Sequence, residues 1–166
     1  MKYNVARLQE FFLEMAAETY ASGEKAARTP GRSWERTFER SRGELTYIDR
    51  FIVNGEYSGG ETRIIEADAP VWMMHYGGKC KNDDSELLAF LKDVLSGAYR
   101  RGKFYGGRGI DQVATQIRGS RHWYGNQYEG GFQKCAGYEY IATVENAVIK
   151  KVFWHKYHCL LLGDPE

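Results

Sequence analysis

The 166-residue chain lacks the short motifs that identify the best-known classes of enzyme. It has no Gly-x-Ser-x-Gly turn for a nucleophilic serine and no His-Glu-x-x-His helix for zinc. It also has no phosphate-binding loop ending in Gly-Lys-Ser/Thr. These absences make catalysis less expected without excluding it, and they give no reason to expect a cofactor.

The chain also has few cysteines, a small net charge and no long apolar run. The three cysteines, at positions 80, 135 and 159, form no Cys-x-x-Cys pair and fit free thiols in a reducing compartment. The formal net charge of +1 gives no overall attraction to nucleic acid or to an anionic membrane. No apolar run approaches the ~18 residues of a membrane span, and the first residues do not form a signal-peptide core. These features predict a cytoplasmic protein with no disulfide and no membrane partner.

A metal site is also not expected. His155-x-x-His158-Cys159 has the spacing of metal ligands, but positions 155 and 158 of a strand point to opposite faces. One ion would reach both histidines only across a bulge. We therefore predict no metal ligands.

Aromatic residues, by contrast, are abundant, and part of the chain is repeated. Hydrophobic residues make up 43% and aromatics 14%, which fits one packed domain over residues 1–166. The order valine, aromatic, three residues, tyrosine occurs at 71–76 and again at 152–157, each time after a Gly-x-Glu segment. We therefore expect two structural repeats, at about 5–80 and about 83–160.

Hydrophobic periodicity predicts the elements of each repeat. Apolar residues recur at helical spacing over 5–20, and over 83–99 they follow Asp83, a candidate cap, with Glu86 three residues on. Alternation predicts strands at the following ranges: 45–53, 57–66, 71–76, 122–128, 136–144 and 148–159. Asn54-Gly55 predicts a hairpin turn. Residues 33–42 fit either a helical turn or a strand.

This element order predicts an α+β fold made of two tandem helix-plus-antiparallel-β-meander repeats. The strands would form one curved sheet, or two packed sheets, with the two main helices on the outside.

A family resemblance rests on four segments taken in order: 47–51 (YIDRF), Gly60-Glu61, 70–77 (PVWMMHYG) and 137–139 (GYE). With these segments the chain resembles a bacterial domain of unknown function, the family numbered 5680. The resemblance implies a small α+β domain that occurs alone and, in similar proteins, behind a helix-turn-helix domain. It implies no activity, substrate or catalytic residue. His158-Cys159 stands where the second repeat would be expected to have glycines, and this chain has no helix-turn-helix of its own.

The repeat suggests a binding site for a flat or cationic organic molecule. Glu61 and Glu139 fall at equivalent strand positions and would approach each other or line one cleft. The aromatics of the repeat would supply the walls, and they are Tyr47, Trp72, Tyr76, Phe153, Trp154 and Tyr157. Alternatively, each glutamate is solvated on an exposed face and the aromatics are simply sheet core.

A second candidate site, in the segment 100–121, would bind single-stranded nucleic acid, but the evidence for it is weaker. The segment 100–121 contains Arg100, Arg101, Lys103, Arg108, Arg118 and Arg121 with interleaved aromatics, a pattern found in single-strand binding. A solvated connecting loop explains the same residues.

The function we expect is a non-enzymatic module that binds or senses an unidentified small molecule. The alternatives are an enzyme that uses the Glu61/Glu139 carboxylate pair, and single-stranded nucleic-acid binding through the 100–121 segment. The sequence does not determine the oligomeric state, and a homodimer is compatible with it.

Overall fold

The computed structural model describes residues 2–80, 84–110, 115–116 and 121–165, in which two α-helices accompany one large antiparallel sheet. The helices are α1 (Val5–Glu18) and α2 (Ser85–Tyr99). A short parallel pair, β1 (Lys2–Tyr3) with β11 (Asp164–Pro165), joins the two ends of the chain. The sheet strands in chain order are β2 (Ala27–Thr29), β3 (Arg32–Arg42), β4 (Leu45–Asn54), β5 (Tyr57–Glu66), β6 (Ala69–Cys80), β7 (Thr115–Gln116), β8 (His122–Gly131), β9 (Lys134–Glu145) and β10 (Val148–Leu161).

The sheet consists of two meanders that meet at its centre. The spatial order of the described strands is β2-β3-β4-β5-β6-β10-β9-β8-β7, so the last strand of each half pairs with the last strand of the other. In that central pair Tyr76 lies directly opposite Tyr157. The α+β class is therefore confirmed, and the strands of both halves belong to one sheet.

The first helix follows its predicted periodicity. The side chain of Asn4 accepts a hydrogen bond from the Arg7 N–H and caps the start of α1. The regular helix ends at Glu18, and a 3₁₀ turn over Tyr20–Ser22 continues the predicted 5–20 segment. Gly23 then ends the turn in a left-handed conformation, at φ 84°.

The second helix is capped by Asp84, whose side chain accepts from the Leu87 N–H. Asp83, the predicted cap, lies outside the described residues. The apolar stripe of α2 is buried against α1 and the sheet, and its buried members are Leu87, Phe90, Leu91, Val94, Leu95, Ala98 and Tyr99. Burial of this stripe fixes the helix on the same face of the sheet as α1.

The ambiguous segment 33–42 is a strand. It pairs with β4 over eight positions, from Glu35 opposite Ile52 to Arg42 opposite Leu45. Phe38 is buried there, whereas Trp34 is exposed. The local spacing of apolar residues fitted both a helical turn and a strand, and pairing with β4 makes the segment a strand.

Neither helix within the described ranges is long and apolar enough to cross a membrane.

Candidate functional site

A cavity of about 190 Å³ lies between the two helices and the sheet. Aromatic and aliphatic side chains form most of its wall. The polar groups that line it include Asp49, Ser58, Thr62, Tyr76, Lys92, Arg108 and His155, and the thiol of Cys80 also lies in its wall. A mainly apolar cavity with a few converging polar groups is the usual form of a small-molecule site.

Asp49 provides a buried carboxyl group in this wall. It lies on β4, where every second residue faces the helices, and it is 6% exposed. Tyr76 donates its hydroxyl to Asp49 Oδ1 at 2.6 Å, and Thr62 donates to the same oxygen at 3.2 Å. Burial raises the pKa of Asp49, although the bond from Tyr76 opposes that rise.

Arg108 provides the positive charge, and Glu139 holds it. Arg108 Nε donates to Glu139 Oε1 at 2.7 Å, and its Nη2 lies 2.5 Å from the same oxygen. Tyr124 donates its hydroxyl to the other carboxylate oxygen at 2.6 Å. Burial alone would raise the pKa of Glu139, but the guanidinium of Arg108, together with the contact from His155, lowers it to about 2. The pair is therefore ionised at neutral pH.

Arg108 reaches the interior from a glycine-rich turn. Gly106 and Gly107 both have positive φ, at 66° and 72°. A Cβ at Gly107 would collide with Met74 and crowd Phe12, so the turn can approach the core only without side chains here. The guanidinium carbon of Arg108 then lies 5.3 Å from the centre of the Tyr76 ring, a cation–π distance.

His155 also lies in the cavity wall, between Ser58 and Glu139, and is 5% exposed. Its Nε2 is 3.2 Å from Ser58 Oγ, and its Nδ1 is 3.5 Å from Glu139 Oε1. Burial lowers the pKa of His155, against the opposing effect of Glu139. We therefore treat the ring as neutral at pH 7, able to donate from one nitrogen and accept at the other.

Three of the predicted aromatic residues line the cavity: Tyr47, Tyr76 and Phe153. Trp154, next to Phe153 on β10, points to the other face of the sheet, where it stacks on Tyr138 at 6.4 Å. Trp72 and Tyr157 face the same side of the sheet as the cavity but pack elsewhere. Trp72 stacks on Phe132 at 4.8 Å, and Tyr157 donates its hydroxyl to Asn126 at 2.6 Å.

The predicted pairing of Glu61 with Glu139 does not occur. Thr62 faces Asp49 on the helix side of β5, so Glu61, one residue earlier, points to the other face. There it lies 3.2 Å from Arg63, while Glu139 is fully buried on the helix side. The sheet register places Gly60 opposite Tyr76 and Gly137 opposite Tyr157. Glu61 therefore follows its paired glycine by one residue and Glu139 follows its own by two, which places them on opposite faces. The two carboxylates therefore do not line one cleft.

Sequence analysis missed Asp49, Arg108 and His155 as cavity residues. Asp49 carried a usable signal, since it is a carboxylate on the face of β4 that also carries Leu45 and Tyr47. Arg108 carried none, because a glycine- and arginine-rich connection is typical of a solvated loop.

Among the described basic residues of segment 100–121, Arg100, Arg101, Lys103 and Arg121 are exposed, whereas Arg108 is not on the surface. Arg108 is inside the molecule, and Arg121 lies 3.2 Å from Glu86. Arg118 lies outside the described residues. His155 and His158 do point to opposite faces, since His158 stacks on His75 at 5.2 Å while His155 contacts Ser58. Among the described residues no group of three metal-ligating side chains forms.

The chain belongs to the family described as a domain of unknown function, DUF5680, whose family model matches residues 49–158. That range runs from Asp49 through Arg108 and Glu139 to the central strand β10 and so contains most of the cavity's polar residues. No curated protein and no solved structure matches the chain.

Proposed function

We propose that the protein is a non-enzymatic small-molecule-binding or sensor module whose ligand occupies the cavity between the helices and the sheet. The observation that carries the proposal is a buried carboxyl group, Asp49, and a mostly buried guanidinium, Arg108, whose side chain is 11% exposed; both line one cavity with aromatic walls. Burying both groups is costly in free energy, and a ligand that hydrogen-bonds to them offsets part of that cost.

The size of the cavity limits the ligand. An apolar cavity of roughly 150 Å³ holds a benzene molecule. A cavity of about 190 Å³ therefore suits one or two fused rings with few substituents. Flat walls from Tyr47, Tyr76 and Phe153 favour a planar ring system.

The polar groups of the cavity wall indicate which hydrogen-bonding groups the ligand has. Both bonds to Asp49 end on Oδ1, and both contacts of Arg108 with Glu139 use Nε and Nη2. Among the described residues, no hydrogen bond reaches Asp49 Oδ2 or Arg108 Nη1. A ligand with an N–H donor beside a carbonyl acceptor satisfies both atoms. Arg108 and Lys92 disfavour a cationic ring, so we infer an uncharged planar lactam or a similar heterocycle.

Four probes that share one bicyclic ring test this proposal. They are 2-quinolinone, its N-methyl derivative, quinoline and N-methylquinolinium, which present donor plus acceptor, acceptor only, ring nitrogen only and a fixed positive charge. At ten times the dissociation constant a ligand adds about 1.4 kcal/mol to the free energy of unfolding. For a chain of this size that is a rise in melting temperature of about 3–6 °C. We expect 2-quinolinone to bind most tightly and the quinolinium cation most weakly.

Variants show whether the probes occupy the cavity. Asp49→Asn keeps an oxygen for the Tyr76 hydroxyl, as Asn126 does for Tyr157, but alters the acceptor offered to the ligand. Arg108→Lys keeps the charge beside Glu139 and loses the planar fork. Both should weaken 2-quinolinone at least tenfold and affect quinoline little. Ala16→Leu, which fills part of the cavity, should weaken all probes. No binding by any probe would contradict the cavity as a ligand site, and equal binding of 2-quinolinone and quinoline would contradict the lactam edge.

We also propose that the two halves of the chain are tandem repeats. Two matching hydrogen bonds support this. Tyr76 on β6 donates to Asp49 on β4, and Tyr157 on β10 donates to Asn126 on β8. The same register matches Tyr47 with Tyr124 and Ile64 with Ile141, all four buried. An experimental structure tests the proposal by superposing β4–β6 on β8–β10 in this register. Side chains on opposite faces after superposition would refute it.

A further inference from the structure

Cys135 and Cys159 lie directly opposite each other on the paired strands β9 and β10. Their sulfur atoms are 2.6 Å apart, and both side chains are buried, at 4% and 3% exposure. Both residues are free thiols in this structure. Neither residue lines the cavity described above.

The strand geometry suits a covalent bond between these two residues. Opposite residues of an antiparallel pair have Cα atoms roughly 4.5–5.5 Å apart. A disulfide accepts Cα separations of roughly 4.4–6.8 Å. The bond can therefore form without moving the backbone of either strand.

The two thiols also differ in reactivity. The hydrogen bond from the Cys159 thiol lowers the pKa of Cys135, against the effect of burial. The same contact, together with burial, raises the pKa of Cys159. Cys135 is therefore the better source of the thiolate, which is the nucleophilic form.

We propose that Cys135 and Cys159 are a reversible dithiol–disulfide site that small hydroperoxides oxidise. The Cys135 thiolate attacks the peroxide O–O bond, takes one oxygen as a sulfenic acid and releases hydroxide, which is protonated to water. The Cys159 sulfur then attacks the sulfenic sulfur, an S–S bond forms and the sulfenic oxygen leaves as water. In total the two thiols lose two protons and two electrons, and one hydrogen peroxide becomes two molecules of water. A small dithiol restores the pair by thiol–disulfide exchange.

Burial limits which oxidants reach the pair. Hydrogen peroxide is small enough to enter a packed core, whereas glutathione disulfide must bring a tripeptide to the sulfur. We therefore expect oxidation by the peroxide and little by the bulky disulfide.

Cys80 serves as an internal control. It is equally buried, at 3% exposure, and burial raises its pKa to about 12. The sulfur–sulfur contact joins Cys135 to Cys159 and does not include it. It should therefore stay reduced when the pair oxidises.

The test is peptide mapping of the folded wild-type protein after treatment with a small excess of hydrogen peroxide, with free thiols blocked before denaturation. We expect one cross-linked peptide joining Cys135 to Cys159, a blocked Cys80, and the loss of two hydrogens in the intact mass. Cys80→Ser should behave as the wild type. Cys135→Ser should lose the cross-link and react with peroxide more slowly than Cys159→Ser.

Other outcomes overturn the proposal. These are a cross-link that includes Cys80, sulfinic acid in place of a disulfide, no oxidation of the folded protein, or a disulfide that a dithiol does not reverse. The wild-type map decides these points even where a serine variant fails to fold.

Discussion

At the scale of single residues, Glu139 is the counter-charge of Arg108, which lines the cavity. It holds Arg108 by two contacts and accepts from Tyr124, and it is fully buried. Glu61, by contrast, is partly exposed on the other face of the sheet beside Arg63. The two glutamates that the repeat pattern equated therefore make a matched pair for mutation.

Replacing Glu139→Gln should lower the free energy of unfolding by about 3–5 kcal/mol, because it leaves Arg108 buried without a counter-charge. Glu61→Gln should cost about 0–1 kcal/mol, as expected of an exposed ion pair. Urea denaturation at pH 7 measures both.

The cost of Glu139→Gln should also depend on pH. The folded-state pKa of Glu139 is lowered from 4.5 to about 2. Its stabilising contribution is therefore complete above about pH 4.5 and is lost as the pH falls toward 2. The difference between wild type and Glu139→Gln should shrink over that window. A difference that stays constant from pH 7 to pH 2 would show that Glu139 is not the ionised partner of Arg108.

Asp49 should show the opposite pH dependence. Burial raises its folded-state pKa above 3.8, so the folded state favours the protonated carboxyl. The wild type should therefore gain stability relative to Asp49→Asn as the pH falls through the raised pKa toward 3.8, and lose it as the pH rises. Parallel urea titrations of both proteins measure this. A wild type that loses stability relative to Asp49→Asn on acidification would contradict the burial of this group.

At the scale of elements, the sequence predicted most of the helices and strands because their patterns are local. The apolar stripes of α1 and α2 and the alternation of β4 fall close to the observed bounds. The strand β6 was predicted at 71–76 but extends over Ala69–Cys80. Its end contains Gly77 and Gly78, which have low strand propensity, and only pairing with β5 and β10 makes them strand.

Those two glycines provide a test of the central strand pair. A Cβ at Gly78 would collide with the backbone carbonyl of Trp154 on β10, whereas a Cβ at Gly77 would have its nearest neighbours at 3.4 Å. We expect Gly78→Ala to cost about 1–3 kcal/mol or more, because backbone atoms must move. Gly77→Ala should stay within about 0.5 kcal/mol of the wild type. Equal costs in urea denaturation would mean that β6 and β10 do not approach as closely as described.

At the scale of the whole molecule, the site was only partly predictable. Tyr47, Tyr76 and Phe153 were expected to form walls, and they do line the cavity. The polar pair Asp49 and Arg108 could not be assigned to one site, because it depends on how a distant turn folds back onto the first meander. Residues so far apart in sequence meet only through the order of strands and the packing of both helices.

The central claim is that this cavity holds a planar molecule between Asp49 and Arg108. A crystal structure of the protein grown with 2-quinolinone tests it most directly. We expect the ring between the helices and the sheet, with its N–H donating to Asp49 Oδ2 and its carbonyl accepting from Arg108 Nη1. A ring bound only on the outer face of the sheet, or a closed core with no space between Tyr47, Tyr76 and Phe153, would contradict it.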